Sequence, residues 1–299
     1  MKRIFGALPA LFLILALLSA CDKKPTDTAY VFTPGKTLKY RLWVNQQIEN
    51  EGDLENAVRI SMRTDFDLTA LSVAPDGLAE LKMKFTSASG MATTGAERKK
   101  IEMEKSLTGK EVTLKMKPDG EITELLLPEN ESRNHYSNLT KLRHVVMDMF
   151  ATLPQNLNNG TAWTRKTVVE EDFRPLGMVS TETKTSFVAG GEAEVWERQA
   201  TEIAVNFEVR LGSEVTQENK ADSQPEDGRP KSINISGGGD GNGKMYFDLK
   251  HNVCIGAAYE TTVNMKTGLL FEDVTKNSSS AQKIKTGIVL KLLPEAKAE

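Results

Sequence analysis

The stretch DFDLTALSVAPDGLAELKMKF, Asp65–Phe85, decides the architecture. Phe66 and Leu68 alternate with polar neighbours on one side of its centre, and Ala79, Leu81, Met83 and Phe85 alternate on the other. A period of two places each set on one face of an extended strand. Between them stand Pro75, Asp76 and Gly77. Proline presets a negative φ, and glycine accepts the positive φ that a tight reversal needs. The spacing predicts an antiparallel hairpin with one apolar face.

The same grammar extends outward. Leu38, Tyr40, Leu42 and Val44 alternate upstream, as do Val58, Ile60 and Met62. Downstream, Pro118-Asp119-Gly120 repeats the turn between Val112, Leu114, Met116 and the run from Ile122 to Leu127. Ser87 to Lys100 has no clear period and is expected to be a long loop. Past residue 155 the strand signals resume: Asn159-Gly160 turns into Trp163, Leu176 to Val188 follows, and Ile203, Val205, Phe207, Val209 and Leu211 alternate cleanly. Ser213 to Ser232 is polar and contains proline, as a mobile insertion would be. Met245, Phe247 and Leu249 run into a turn at Lys250-His251-Asn252, and Val253, Ile255, Ala257, Tyr259, Val263 and Met265 share the face of another strand. A last strand is expected at about Lys283 to Leu292.

One stretch has helical spacing. Leu139, Leu142, Val146, Met149 and Leu153 fall three or four apart, flanked by Val145 and Phe150. Ser137 can cap its start, and Pro154 disfavours continuation. Such a stripe must be buried, either as packed core or as the lid of an apolar groove. The expected class is therefore mainly β: antiparallel curved sheets or half-barrels in two similar halves, with one amphipathic helix between them. Gly35 before Leu38 and Gly160 before Trp163 open the halves alike, a hint of duplication.

The N-terminus carries an address. Lys2 and Arg3 precede an apolar run from Ile4 to Leu18, and Leu18-Ser19-Ala20 leads into Cys21. The run is too short to span a bilayer and has the layout of a secretory signal. The four residues ending at Cys21 resemble the lipobox of bacterial lipoproteins. That resemblance implies cleavage before Cys21, a diacylglycerol thioether on its sulfur, and a membrane anchor there. An aspartate in the next position, Asp22, resembles the signal that holds enterobacterial lipoproteins in the inner membrane, facing the periplasm. Asp22 to Ala29 reads as a tether of about 30 Å at ~3.3 Å per residue. Lys23 and Lys24 within it suit either anionic headgroups or plain solubility. The expected organisation is a signal at 1–20, a lipidated tether at 21–29, a β half at 30–130, the helix at 131–154, a second β half at 155–293 and a tail at 294–299. The order of signals, ending in the glycine-rich strand with Phe247-Asp248-Leu249, resembles an uncharacterised group of two-halved lipoproteins. In architecture it is also similar, more distantly, to the half-barrel lipoproteins of the LolA and LolB type.

Composition narrows the function. Loss of Lys2 and Arg3 takes the net charge from −3 to about −5. No clustered basic surface marks a nucleic-acid partner. The two cysteines are Cys21 and Cys254, so with Cys21 acylated Cys254 is expected to be a free thiol. Ser280-Ala281-Gln282-Lys283 matches S-x-x-K, but that chemistry needs a helix N-terminus and these residues enter a strand. Gly237 to Gly243 lacks the ligand spacing of a calcium loop and the Lys-Ser/Thr of a phosphate loop, and reads as a turn or bulge before a strand. His135, His144 and His251 have no metal-ligand spacing with a third partner. No catalytic, cofactor or metal residue is expected, and no enzyme. Two functions remain open: a module binding an apolar ligand or lipid, and a structural or assembly component that meets other envelope proteins.

Overall fold

Both Pro-Asp-Gly triplets make the reversal their chemistry requires. Gly77 has φ 86° and donates its N–H to Ala74 O, while the Asp76 carboxylate accepts from Leu78 N–H. Gly120 has φ 91° and donates to Lys117 O, while Asp119 accepts from Glu121 N–H. The two turns lie side by side, since a side chain at Gly77 would strike the Pro118 ring. The computed structural model describes residues 28–51, 53–127, 146, 149–172, 178–216, 232–271 and 274–294. Cys21, Leu139 and Leu142 lie outside the described residues, as do the expected signal and most of the expected tether.

The strands are β1 (Thr37–Asn50), β2 (Asp53–Val73), β3 (Ala79–Thr94), β4 (Glu97–Ile101), β5 (Glu111–Met116), β6 (Ile122–Leu126), β7 (Ala162–Asp172), β8 (Met178–Val195), β9 (Arg198–Thr216), β10 (Ser232–Asp248), β11 (Val253–Leu270) and β12 (Ser278–Leu292). All twelve form one antiparallel, curved, unclosed sheet in the order β6-β5-β3-β2-β1-β12-β11-β10-β9-β8-β7, with β4 also paired to β3. The mainly β class of the sequence holds, and one pairing joins its two runs. β1 is laid along β12 from Tyr40↔Leu292 to Asn50↔Gln282, so both runs share a single sheet. A short helix, α1 (Met103–Leu107), follows β4.

Antiparallel partners present their side chains on the same face, so the register defines an inner and an outer surface. The inner face at the turn-bearing end is the core. Tyr40, Phe66 and Leu292 meet at one level, and Leu42, Leu290, Ala257, Met245, Ile203 and Ala189 at the next, all buried. The outer face is polar and laced with ion pairs such as Lys166–Glu182 and Lys244–Glu202. Arg41 grips Asp65 there with Nε–Oδ1 at 2.7 Å and Nη2–Oδ2 at 2.8 Å, which holds the Asp65 carboxyl below its ordinary pKa.

Two segments close the core end. Residues 28–32 cross it, with Tyr30 N–H bonded to Pro118 O and Val31 N–H to Asn252 O. Tyr30 sets its ring edge-on to Phe150 and Phe247, and its hydroxyl donates to Ala151 O at 3.1 Å. Residues 149–157 lie between the β5–β6 turn and β7: Leu153 N–H bonds Asp119 O, and Trp163 Nε1–H bonds Thr152 O. Burying one such aromatic side chain stabilises by roughly 1.5–3 kcal/mol, and Tyr30, Tyr40, Phe66, Phe150 and Phe247 share this space.

Four expectations are corrected. Ser87 to Thr94 is not loop but the end of β3, where Ala88, Gly90 and Ala92 face Thr64, Met62 and Ile60 across β2. Glycine is needed at position 90 because a side chain there would meet Met103 Sδ at 2.8 Å. Gly237 to Gly243 is likewise strand, inside β10. The polar insertion is shorter than Ser213–Ser232, since β9 runs to Thr216 and β10 begins at Ser232. Of the expected helix at 131–154, Val146 is helical, but residues 149–154 are not. Their backbone groups are taken instead by Tyr30, Asp119 and Trp163.

Candidate functional site

Beyond the core the long strands keep their alternation. On the inner face β1 continues with Gln46 and Ile48, β2 with Ile60 and Val58, β12 with Thr286 and Ile284, and β11 with Thr261, Val263 and Met265. β9 adds Val209 and Leu211 opposite Gly239 and Gly237. These positions are half-buried, whereas Val205, one level below Phe207, is 1% exposed. From Gln46 through Ile48 on β1, and over the matching positions of β2 and β8–β12, no inward side chain carries a charge. The charges beside them, Glu49, Arg59, Lys184, Glu208, Glu260 and Lys285, stand at outward positions. The result is a concave apolar surface above a sealed core. At ~3.4 Å per residue, the six steps from Thr261 to Thr267 span about 20 Å of it.

A row of glycines sets its curvature. Gly237, Gly239, Gly241 and Gly243 occupy successive inward positions of β10, opposite Met265, Val263, Thr261 and Tyr259. A methyl group on any of them would strike a carbonyl oxygen of β11: Asn264, Thr262, Glu260 or Ala258. On the concave side of a tightly curled sheet neighbouring strands approach, and only a residue without Cβ fits there. This row, taken from sequence as a turn, is what lets β9 and β11 fold toward one another. Phe207 and Tyr259 then meet across it, with ring centroids 5.1 Å apart.

Polar groups on the inner side are few. Arg165 of β7 lies opposite Thr185, with Nε–H donating to Thr167 Oγ1 at 2.9 Å and Nη1–H reaching Thr152 Oγ1 at 3.4 Å. Thr181, Thr183 and Thr185 line β8, so the surface is apolar toward β11 and hydroxyl-bearing toward β7. Tyr40 Oη donates to Cys254 O at 2.9 Å. Burial raises both Tyr30 and Tyr40 well above the ordinary tyrosine pKa. The Cys254 thiol, a free cysteine as expected, is buried and pushed up to about 12 by desolvation.

The described part of the helical stripe is core. Val146, Met149 and Leu153 are 3%, 1% and 4% exposed and belong to the same packed cluster as Tyr40 and Leu114. They do not roof the apolar surface, which lies farther along the strands. The sequence singled out the stripe and missed the surface, although the alternation at Ile48, Val263 and Ile284 was its signal. Ser280 and Lys283 of the S-x-x-K match lie within β12, where an odd spacing turns them to opposite faces. Among the described residues no three His, Cys, Asp or Glu side chains gather as metal ligands would, and no helix is long and apolar enough to cross a membrane.

No protein-family model and no curated protein matches the sequence. Solved structures align over most of the chain at low similarity. The hypothetical lipoprotein YmcC from Escherichia coli aligns at 11% identity over 99% of this chain and 100% of that one, with a TM-score of 0.26. An outer membrane channel from Pseudomonas putida aligns at 8% identity over 90% of this chain and 99% of that one, with a TM-score of 0.25. OmpT, an outer membrane protein of Vibrio cholerae, aligns at 9% identity over 87% and 100%, with a TM-score of 0.21. At these scores nothing about this chain follows from the superpositions.

Proposed function

We propose that this chain is a bacterial envelope lipoprotein, anchored through Cys21, that holds an apolar ligand of the acyl-chain class on the inner face of its sheet. The observation that carries the reading is the uncharged inner surface between Gln46 and Ile48 on β1 and from Thr261 to Met265 on β11, continuous with the core but half-buried. Strands that merely stood in water on both sides would gain nothing from placing Ile48, Val58, Ile60, Val263, Met265 and Ile284 inward. Each methylene of a ligand laid against Ile48, Val263 and Ile284 contributes about 0.8 kcal/mol, so eight buried methylenes reach roughly 6 kcal/mol. The reading is of a binding module rather than an enzyme, with no cofactor or metal.

The test uses the chain from Asp22 onward, which contains every described residue and lacks the acylated cysteine. Organic extraction and mass spectrometry of the purified protein should recover a lipid at near-equal stoichiometry. A Val263→Asp, Ile284→Asp variant should fold and recover none. Wild-type protein that stays lipid-free, even after incubation with fatty acid or phospholipid, would overturn the reading. A stable protein complex in its place would favour the structural or assembly role.

A further inference from the structure

A second feature lies at the other end of the sheet, where the tether arrives. Thr33 to Lys39, the β10–β11 turn and the end of β12 enclose a surface groove of about 640 Å³. Its lining includes Val31, Phe32, Lys36, Lys39, Arg198 and His251 and, among the described residues, contains no carboxylate. Val31 is 59% exposed, and Lys36 and Lys39 are exposed. The ring of His251 is held by the Asp248 carboxylate at 2.6 Å, which leaves Lys36, Lys39 and Arg198 as the fixed cations. Many lysines elsewhere on the outer surface are paired, as in Lys115–Glu124, Lys117–Glu121 and Lys285–Glu49. Among the described residues Lys36, Lys39 and Arg198 make no ion pair, although Asp67 stands opposite Lys39 across β1–β2. On a chain of net negative charge, an unpaired cationic groove with an exposed apolar rim is complementary to an anionic, amphipathic surface.

We propose that this groove docks on the headgroups of anionic phospholipids in the bilayer that holds the anchor. The inference goes beyond ligand binding on the inner face and rests on the anchoring half of the proposed function. Val31 is ten residues from Cys21, so the rim of the groove lies within about 35 Å of the lipidated position at ~3.5 Å per residue. With the groove seated on headgroups, the strand ends that carry the apolar surface point away from the membrane. Anchor and groove together would fix an orientation that a lipid tether alone leaves free.

The experiment is vesicle flotation of the chain from Asp22 onward, carrying Lys23→Gln and Lys24→Gln so that the tether contributes no cations. Vesicles of phosphatidylglycerol with phosphatidylethanolamine should carry the protein at about 0.1 M salt, where the screening length is about 10 Å. Phosphatidylcholine vesicles should not. Lys36→Gln, Lys39→Gln and Arg198→Gln should each weaken the partition coefficient about five-fold, with unchanged melting. Lys266→Gln, at the far end of β11, should leave it unaltered. Equal flotation on both vesicle types, no flotation on either, or groove variants that float like the parent would overturn the proposal. Acyl labelling of Cys21 in cells is read separately. Its absence would refute the anchor while leaving the flotation result to stand or fall alone.

Discussion

Replacing Gly239 by alanine tests the reason given for the curvature of the sheet. The added methyl would overlap the Thr262 carbonyl oxygen and lie 2.7 Å from Val263 Cα. An ordinary carbon–carbon contact needs about 3.5–4.0 Å. Both obstructing atoms are backbone of a paired strand, so relief requires β10 and β11 to move apart and the curl to flatten. Overpacking of this kind costs typically 1–3 kcal/mol. Alanine also restricts the unfolded chain, an opposing gain of about 0.4–1 kcal/mol. The net loss should be about 1–2 kcal/mol, or a fall in Tm of roughly 2–8 °C for a domain of this size. Gly212 of β9 supplies the control, because a methyl there meets nothing within 4 Å. Gly212→Ala should be neutral or slightly stabilising. Urea and thermal unfolding of both variants decide the matter. If Gly239→Ala melts at or above Gly212→Ala, the glycine row is not what permits the curvature.

Met149→Ala should cost about 2–5 kcal/mol in urea unfolding, because Met149 is buried in the sealed core, and added lipid should not restore it. Cys254 should react with a disulfide reagent only in denaturant, since its thiol is buried and raised to about 12, and the melting temperature should not move with reductant. The Arg41–Asp65 pair sits half-exposed on the outer face, so Arg41→Ala should lose no more than about 1 kcal/mol at neutral pH. The folded-state pKa of Asp65 is depressed, so its contribution is fully present above the unfolded value of about 3.9 and disappears as pH falls through the lower folded one. Urea midpoints of parent and variant should converge across that acid window; a gap that persists there would refute the pairing as the cause.

The parts of the fold legible in sequence are those fixed by local chemistry. Pro75-Asp76-Gly77 and Pro118-Asp119-Gly120 announce reversals because φ at each position is set by the residue itself. Tyr40, Leu42 and Val44 announce an inner face because alternation is a property of one strand. What escaped depends on neighbours distant in the chain. Gly237, Gly239 and Gly241 have poor strand propensity and read as a turn. They become strand because β9 and β11 pair on either side, and the close approach of β11 then requires them. The strand at Ala88, Gly90 and Ala92 is hidden for the same reason, the glycine being required by Met103 of α1. Nor could one strand predict that Ile48 of β1 and Ile284 of β12 stand opposite each other, 236 positions apart, on a surface that neither forms alone. The helical stripe misled in the other direction. Its spacing identified Val146, Met149 and Leu153 as buried, which they are, but could not show whether they meet side chains or a ligand.

The claim on which the account depends is that the inner face beyond the core receives an apolar small molecule. A photoreactive residue in place of Ile284, irradiated in intact cells, reports directly on what lies against that face. The account predicts an adduct heavier than the protein by the mass of one lipid, and its loss when Val263→Asp is introduced. A cross-link to another protein, or no adduct with the same probe that labels added fatty acid in solution, would contradict it.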